Sequence, residues 1–116
     1  MSGNVIFMGW NRPTTGREDR ATQDFQDFMQ YLGGLQQAGT IASFEPVFLD
    51  FHGGDMNGFF LLRGESAKLN ALQSSEEWLT FMTRAGYSLE GLGVVRGVTG
   101  EMIMEQMNRW ARVMST

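Results

Sequence analysis

Two short runs, Val5-Ile6-Phe7-Met8 and Phe59-Phe60-Leu61-Leu62, are apolar at every position, and nothing else in the chain constrains its fold as tightly. A β-strand points successive side chains to opposite faces, so Val5 and Phe7 oppose Ile6, Met8 and Trp10, and Phe59 and Leu61 oppose Phe60 and Leu62. A sheet of such strands is apolar on both sides, and helices on one side leave the other needing cover. A terminal helix of the same chain or the sheet of a second copy would supply it. Leaving several large side chains exposed in one patch is unusual for a monomer, so the expectation is a homodimer.

The elements follow from periodicity and punctuation. Asn4 to Trp10 reads as a first strand, ended by Asn11-Arg12-Pro13. Between Arg17 and Ala38, Ala21, Phe25, Phe28, Leu32 and Leu35 recur at spacings of four and three, with Gln and Asp assigned to the opposite side. That predicts an amphipathic helix, weakened by Gly33-Gly34 and stopped by Gly39. Thr40 to His52 reads as a long second strand in which Pro46 demands an edge or a bulge. The glycine-rich turn His52 to Gly58 then leads into a third strand at Phe59 to Arg63, making a hairpin.

Ser66 to Gln73 reads as a short helix. Ser74 with Glu77 fits a reciprocal cap opening a second helical segment, which buries Trp78, Leu79 and Met82 and ends at Gly86. Tyr87 to Thr99 holds the last strand, centred on Leu92 to Val95. From Gly100 a terminal helix aligns Ile103, Met107, Trp110 and Met114 as a core stripe, with Met102 and Met104 off it and free to reach a partner chain. The order β, α, β, β, α, β plus a terminal helix is an α+β fold, the ferredoxin-like unit, with an antiparallel four-stranded sheet and helices on one face. At 116 residues it makes one domain, 1–116.

Composition removes whole classes of chemistry. With no cysteine there is no disulfide, thiolate nucleophile or Cys-type zinc site, and with His52 the single histidine no site can draw two imidazoles from one chain. The net charge of −4, with one lysine and scattered arginines, offers no stripe to track phosphates, so no nucleic acid is expected. No segment has the length of a membrane span, and the first eight residues lack the features of a secretory signal, which makes cytoplasmic the expected location.

The segments Glu45-Pro46-Val47 leading into His52-Gly53-Gly54-Asp55-Met56-Asn57-Gly58-Phe59, Gly64-Glu65 before Lys68-Leu69, Ser75-Glu76-Glu77-Trp78, and Gly91-Leu92-Gly93-Val94-Val95 resemble the dimeric α+β barrel superfamily, in particular its YCII-like proteins. The resemblance implies two sheets closing a barrel that can hold a small organic ligand. Superfamily members include monooxygenases, isomerases, haem enzymes and proteins with no assigned reaction, so the fold leaves the chemistry open. It also implies a His and Asp pair at the pocket, for which His52 and Asp55 qualify by residue type and neighbourhood.

On the residues themselves, His52 is the candidate general acid or base, oriented by Asp50 or Asp55. The same turn is equally what a hairpin needs, with glycines for its angles and Asp55 and Asn57 bonding the local backbone. Arg63, Arg96 and Trp10 form the candidate substrate-binding set. Each arginine could clamp a carboxylate or simply pair with Glu45, Asp50 or Glu90. No metal-ligand spacing, phosphate loop or dinucleotide fingerprint occurs, so no metal or cofactor is expected. Two readings stand: a small-molecule-binding or enzymatic barrel using a His/Asp pair, or a non-catalytic interaction module whose barrel is filled by Phe48, Phe59 and Leu61.

Overall fold

The computed structural model describes residues 3–115. Strands β1 (Val5–Trp10), β3 (Ser43–Phe48), β4 (Gly58–Arg63) and β6 (Gly93–Gly97) form one antiparallel sheet in the order β3-β4-β1-β6. Helices α1 (Glu18–Gln37), α2 (Ser66–Gln73) and α3 (Glu76–Ser88) lie on one side of it, and α4 (Glu101–Met114) follows the last strand. Two-residue strands β2 (Arg12–Pro13) and β5 (Leu89–Glu90) pair beside the sheet. None of the described helices is long and apolar enough to cross a membrane.

The apolar runs alternate as their sequence requires. Ile6, Met8, Trp10, Phe60 and Leu62 are buried against Phe28, Leu32, Leu69, Leu72 and Trp78 of the helices. On the opposite face Phe7 stacks on Phe59 at 5.0 Å, with Leu61 half-buried nearby and Val95 exposed. Pro46 sits in β3, an edge strand, where its missing N–H breaks no ladder on the open side.

Several boundaries differ from the sequence expectation, each for a local reason. The second strand stops at Phe48 opposite Gly58; one further cross-bond, from the Leu49 N–H to the Asn57 carbonyl at 2.8 Å, precedes the turn, and residues 50–56 form a loop. Ser75, not Ser74, caps α3, accepting from the Trp78 N–H at 3.3 Å, while Ser74 ends α2. Helix α3 runs through Gly86 to Ser88, where tertiary bonds to Tyr87 and Ser88 outweigh a propensity cost of about 1 kcal/mol. Leu79 is 47% exposed rather than buried, on the side of α3 away from the sheet. The stripe expected to be core on α4 is exposed along its whole length, whereas Met102, placed off it, is half-buried against Ser66.

Candidate functional site

A cavity of about 300 Å³ opens between the sheet and helices α1 and α3, at the end of the sheet where β1 finishes. Its walls are Trp10, Phe25, Phe28, Phe48, Phe60 and Phe81. The rings hold one another: Trp10 lies 5.6 Å from Phe60, and Phe25 packs 5.3 Å from Phe60 and 5.4 Å from Phe48. Gly58 is required beside them, since a β-carbon there would sit 2.7 Å from the Trp10 ring and 2.8 Å from the Val47 carbonyl oxygen. Phe48 is 70% exposed and forms part of the mouth, with Pro13 and Leu89 also at the lining.

The polar contribution to this lining comes from Asp24, Ser88 and Thr22. Ser88 is fully buried, and its hydroxyl donates to Asp24 Oδ2 at 2.9 Å. One hydroxyl occupies a fraction of a carboxylate's acceptor capacity, so Asp24 can take a further donor from a molecule in the cavity. The Thr22 hydroxyl instead donates to the Glu18 carbonyl at 3.0 Å. Ser88 is also fixed through its backbone, its carbonyl accepting from Thr14 N–H at 2.8 Å, and beside it Arg17 donates to the Tyr87 carbonyl at 2.9 Å and lies over the Tyr87 ring. The α1 start and the α3 end are thereby tied together at the cavity.

The residues singled out from sequence fall in four places. Trp10 lines the cavity. His52, Asp50 and Asp55 lie in the exposed 50–56 loop. There the His52 Nε2–H is paired with the Met56 carbonyl at 2.7 Å, and Nδ1 accepts from the Gly54 N–H at 3.2 Å, an arrangement that fixes the Nε2–H tautomer. Arg63, on the outer face of the sheet, pairs with Glu45 at 3.2 Å, with both side chains about half exposed. Arg96 lies under α2, donating to Asn70 at 2.7 Å, Gln73 at 3.1 Å and the Gly3 carbonyl. Desolvation lowers its pKa below the ordinary guanidinium value. Among the described residues no three His, Asp or Glu side chains gather as metal ligands.

Asp24 and Ser88 escaped the sequence reading. Asp24 follows Ala21 by three and precedes Phe28 by four, which puts it on the inward stripe and not on the polar side to which the Asp and Gln residues were assigned. A carboxylate in register with an apolar stripe is the signal that marks it. Ser88 carries no such mark, because its burial depends on α3 continuing past Gly86. Phe48, placed inside the barrel by the non-catalytic reading, packs against Trp10 and Phe25 on the helix side.

No family model matches this sequence, and no curated protein matches it. Solved structures match its fold. A dimeric protein of unknown function and ferredoxin-like fold from Bacteroides fragilis aligns with a TM-score of 0.55 and 11% identity, over 78% of this chain and 91% of that one. A protein from Pseudomonas aeruginosa gives a TM-score of 0.55 and 14% identity, over 86% of this chain and 97% of that one. SnoaB, a cofactor-independent oxygenase from Streptomyces nogalater, gives a TM-score of 0.50 and 11% identity, over 85% and 97% respectively. At these identities the likeness is one of fold, and the fold is ferredoxin-like α+β.

Proposed function

We propose that this chain is a small-molecule-binding barrel protein whose ligand is a flat, largely aromatic molecule carrying a hydroxyl group, held in the cavity between sheet and helices. The observation that carries this is a ring-lined cavity with a single carboxylate held in its wall by a buried serine. Aromatic walls favour a planar guest through stacking and edge contacts, and Asp24 supplies the acceptor that orients its hydroxyl. A carboxylate so placed is also the group that would take the proton if the hydroxyl were ionised for reaction. Hydroxyarenes, planar and carrying one hydroxyl donor, fit that lining and are the first ligands to try.

The same proposal includes a homodimer formed through the outer sheet face, where Phe7, Phe59, Leu61 and Val95 present an apolar surface, and a cytoplasmic location. It retains the YCII-like kinship as a proposal resting on the segments quoted above. His52 enters it as a lock on the 50–56 loop, a role supported by the two backbone partners of its ring.

The test is a titration of 2-naphthol against naphthalene, followed by tryptophan quenching and thermal shift. 2-Naphthol should bind at least tenfold more tightly than naphthalene, as a hydrogen bond to a charged group contributes about 1.5–3 kcal/mol. Asp24→Asn should erase most of that difference, Phe25→Trp should block both ligands by filling the cavity, and His52→Ala should change neither affinity. Equal affinities for the two compounds in wild type, or binding undiminished in Phe25→Trp, would remove the cavity from the function.

A further inference from the structure

Helix α4 leaves the body in a fixed direction, and past its first turn its described residues are exposed. Its root is firmly held. The Asn4 side chain donates to the Thr99 carbonyl at 3.1 Å and accepts from the Thr99 N–H at 2.9 Å. Gly100 then turns the chain with φ 62°, a left-handed conformation that L-residues rarely adopt, and Met102 packs against Ser66. Beyond that root every described residue of α4 is exposed.

What it exposes is ordered. Ile103, Met107, Trp110 and Met114 follow one another at spacings of four, three and four, and Met104 and Val113 widen the stripe. Trp110 is 70% and Met114 77% exposed. Glu101, Glu105, Arg109 and Arg112 all fall on the opposite face. The projection shows in the dimensions: the long axis is 54 Å and the radius of gyration 16.0 Å, against about 13 Å for a compact domain of this length.

We propose that α4 packs this stripe on a second copy of this chain, extending the outer-face dimer proposed above, on which it rests. The six apolar side chains offer roughly 600 Å² per protomer, so two helices bring on the order of 1,200 Å² to an interface, the range of specific association. Chain connectivity keeps the helix root near the dimer face, because α4 follows β6, whose Val95 points outward and is exposed. Charge argues against a lipid surface as the occupant. Two Glu and two Arg cancel, no lysine is present, and interfacial helices draw on a basic polar face that α4 lacks.

Trp110 provides the readout. Trp10 and Trp78 are 7% and 2% exposed in the single protomer, so Trp110 is the one of the chain's three tryptophans that acrylamide can reach there. Native mass spectrometry and acrylamide quenching of wild type, Met107→Glu and Trp110→Glu, each followed over a dilution series, test the proposal. The variants alter exposed positions and leave the protomer core intact. Expected is a wild-type dimer of twice 13.0 kDa that shields Trp110, gains a quenchable component on dilution, and dissociates at least tenfold more readily in both variants. A dimer of unchanged affinity in the variants, with Trp110 open to acrylamide in wild type, overturns the α4 contact and leaves the sheet dimer standing. A wild-type monomer at all concentrations removes both. A monomer whose emission shifts to the blue only with phosphatidylglycerol vesicles overturns the proposal in favour of a lipid surface.

Discussion

Tyr31 shows how a single half-buried group reports on packing. It stacks on Phe81 at 4.5 Å, beside the wall of the cavity, and burial raises its phenol above the ordinary 10.0. The Glu77 charge adds to the rise, while a hydrogen bond with Ser75 pulls the other way. The folded chain therefore keeps this proton at a pH where the unfolded chain loses it. Tyr31 leaves stability unchanged below about pH 10 and lowers it as pH rises through 10 toward the folded value. Tyr31→Phe keeps the ring contact, so urea unfolding between about pH 8 and 11 should show a shallower alkaline loss in the variant than in wild type. At this scale the sequence was half legible. Trp10, a candidate by residue type, does line the cavity, and Asp24 could have been placed on the inward stripe from spacing. Ser88, and the two backbone partners of His52, depend on chain segments meeting in space, and no periodicity encodes that.

Elements announce themselves by pattern and end by competition. The short helix at Ser66–Gln73 has the bounds that its sequence suggests, and α1 stops where Gly39 allows the reversal. The start of α3 was ambiguous between two serines, because either can accept from a backbone N–H three residues on. The structure chooses Ser75, which lets Ser74 close α2 through its own bonds. Ser75→Ala should accordingly cost about 1 kcal/mol and lower the melting temperature by roughly 5 °C, measured by differential scanning calorimetry. Ser74→Ala should stay within about 0.5 kcal/mol of wild type, since its hydroxyl bonds only an exposed helix carbonyl. The over-long second strand failed for a different reason. Leu49, Asp50 and Phe51 look like strand residues, but after the Leu49 bond to Asn57 the chain turns, and Asp50 and Phe51 have no strand opposite them.

For the molecule as a whole, the fully apolar strand runs predicted a sheet in need of cover on both sides, and the fold supplies helices on one side and leaves the other bare. The terminal helix was read as core because its stripe has core spacing, yet an interface stripe has the same spacing, and sequence alone does not say whose core it completes. Val95→Arg places a cation on the outward side of the β6 edge of the bare face without touching the helix side. It should weaken the dimer at least tenfold in sedimentation equilibrium while leaving 2-naphthol affinity in the monomer unchanged.

The alternation of β1 carries a consequence for how such a chain can change over time. Even-numbered residues of β1, β3, β4 and β6 look toward the helices and odd-numbered ones look away, so adjacent codons of one strand answer to different selective pressures. Substitutions at 8 or 10 retune what the cavity admits, and substitutions at 5, 7 or 9 retune what the sheet meets. Insertion of one residue in β1 would exchange the two roles at a stroke. Point substitution is thus the open route to a new ligand or a new assembly, and length change within the sheet is the closed one.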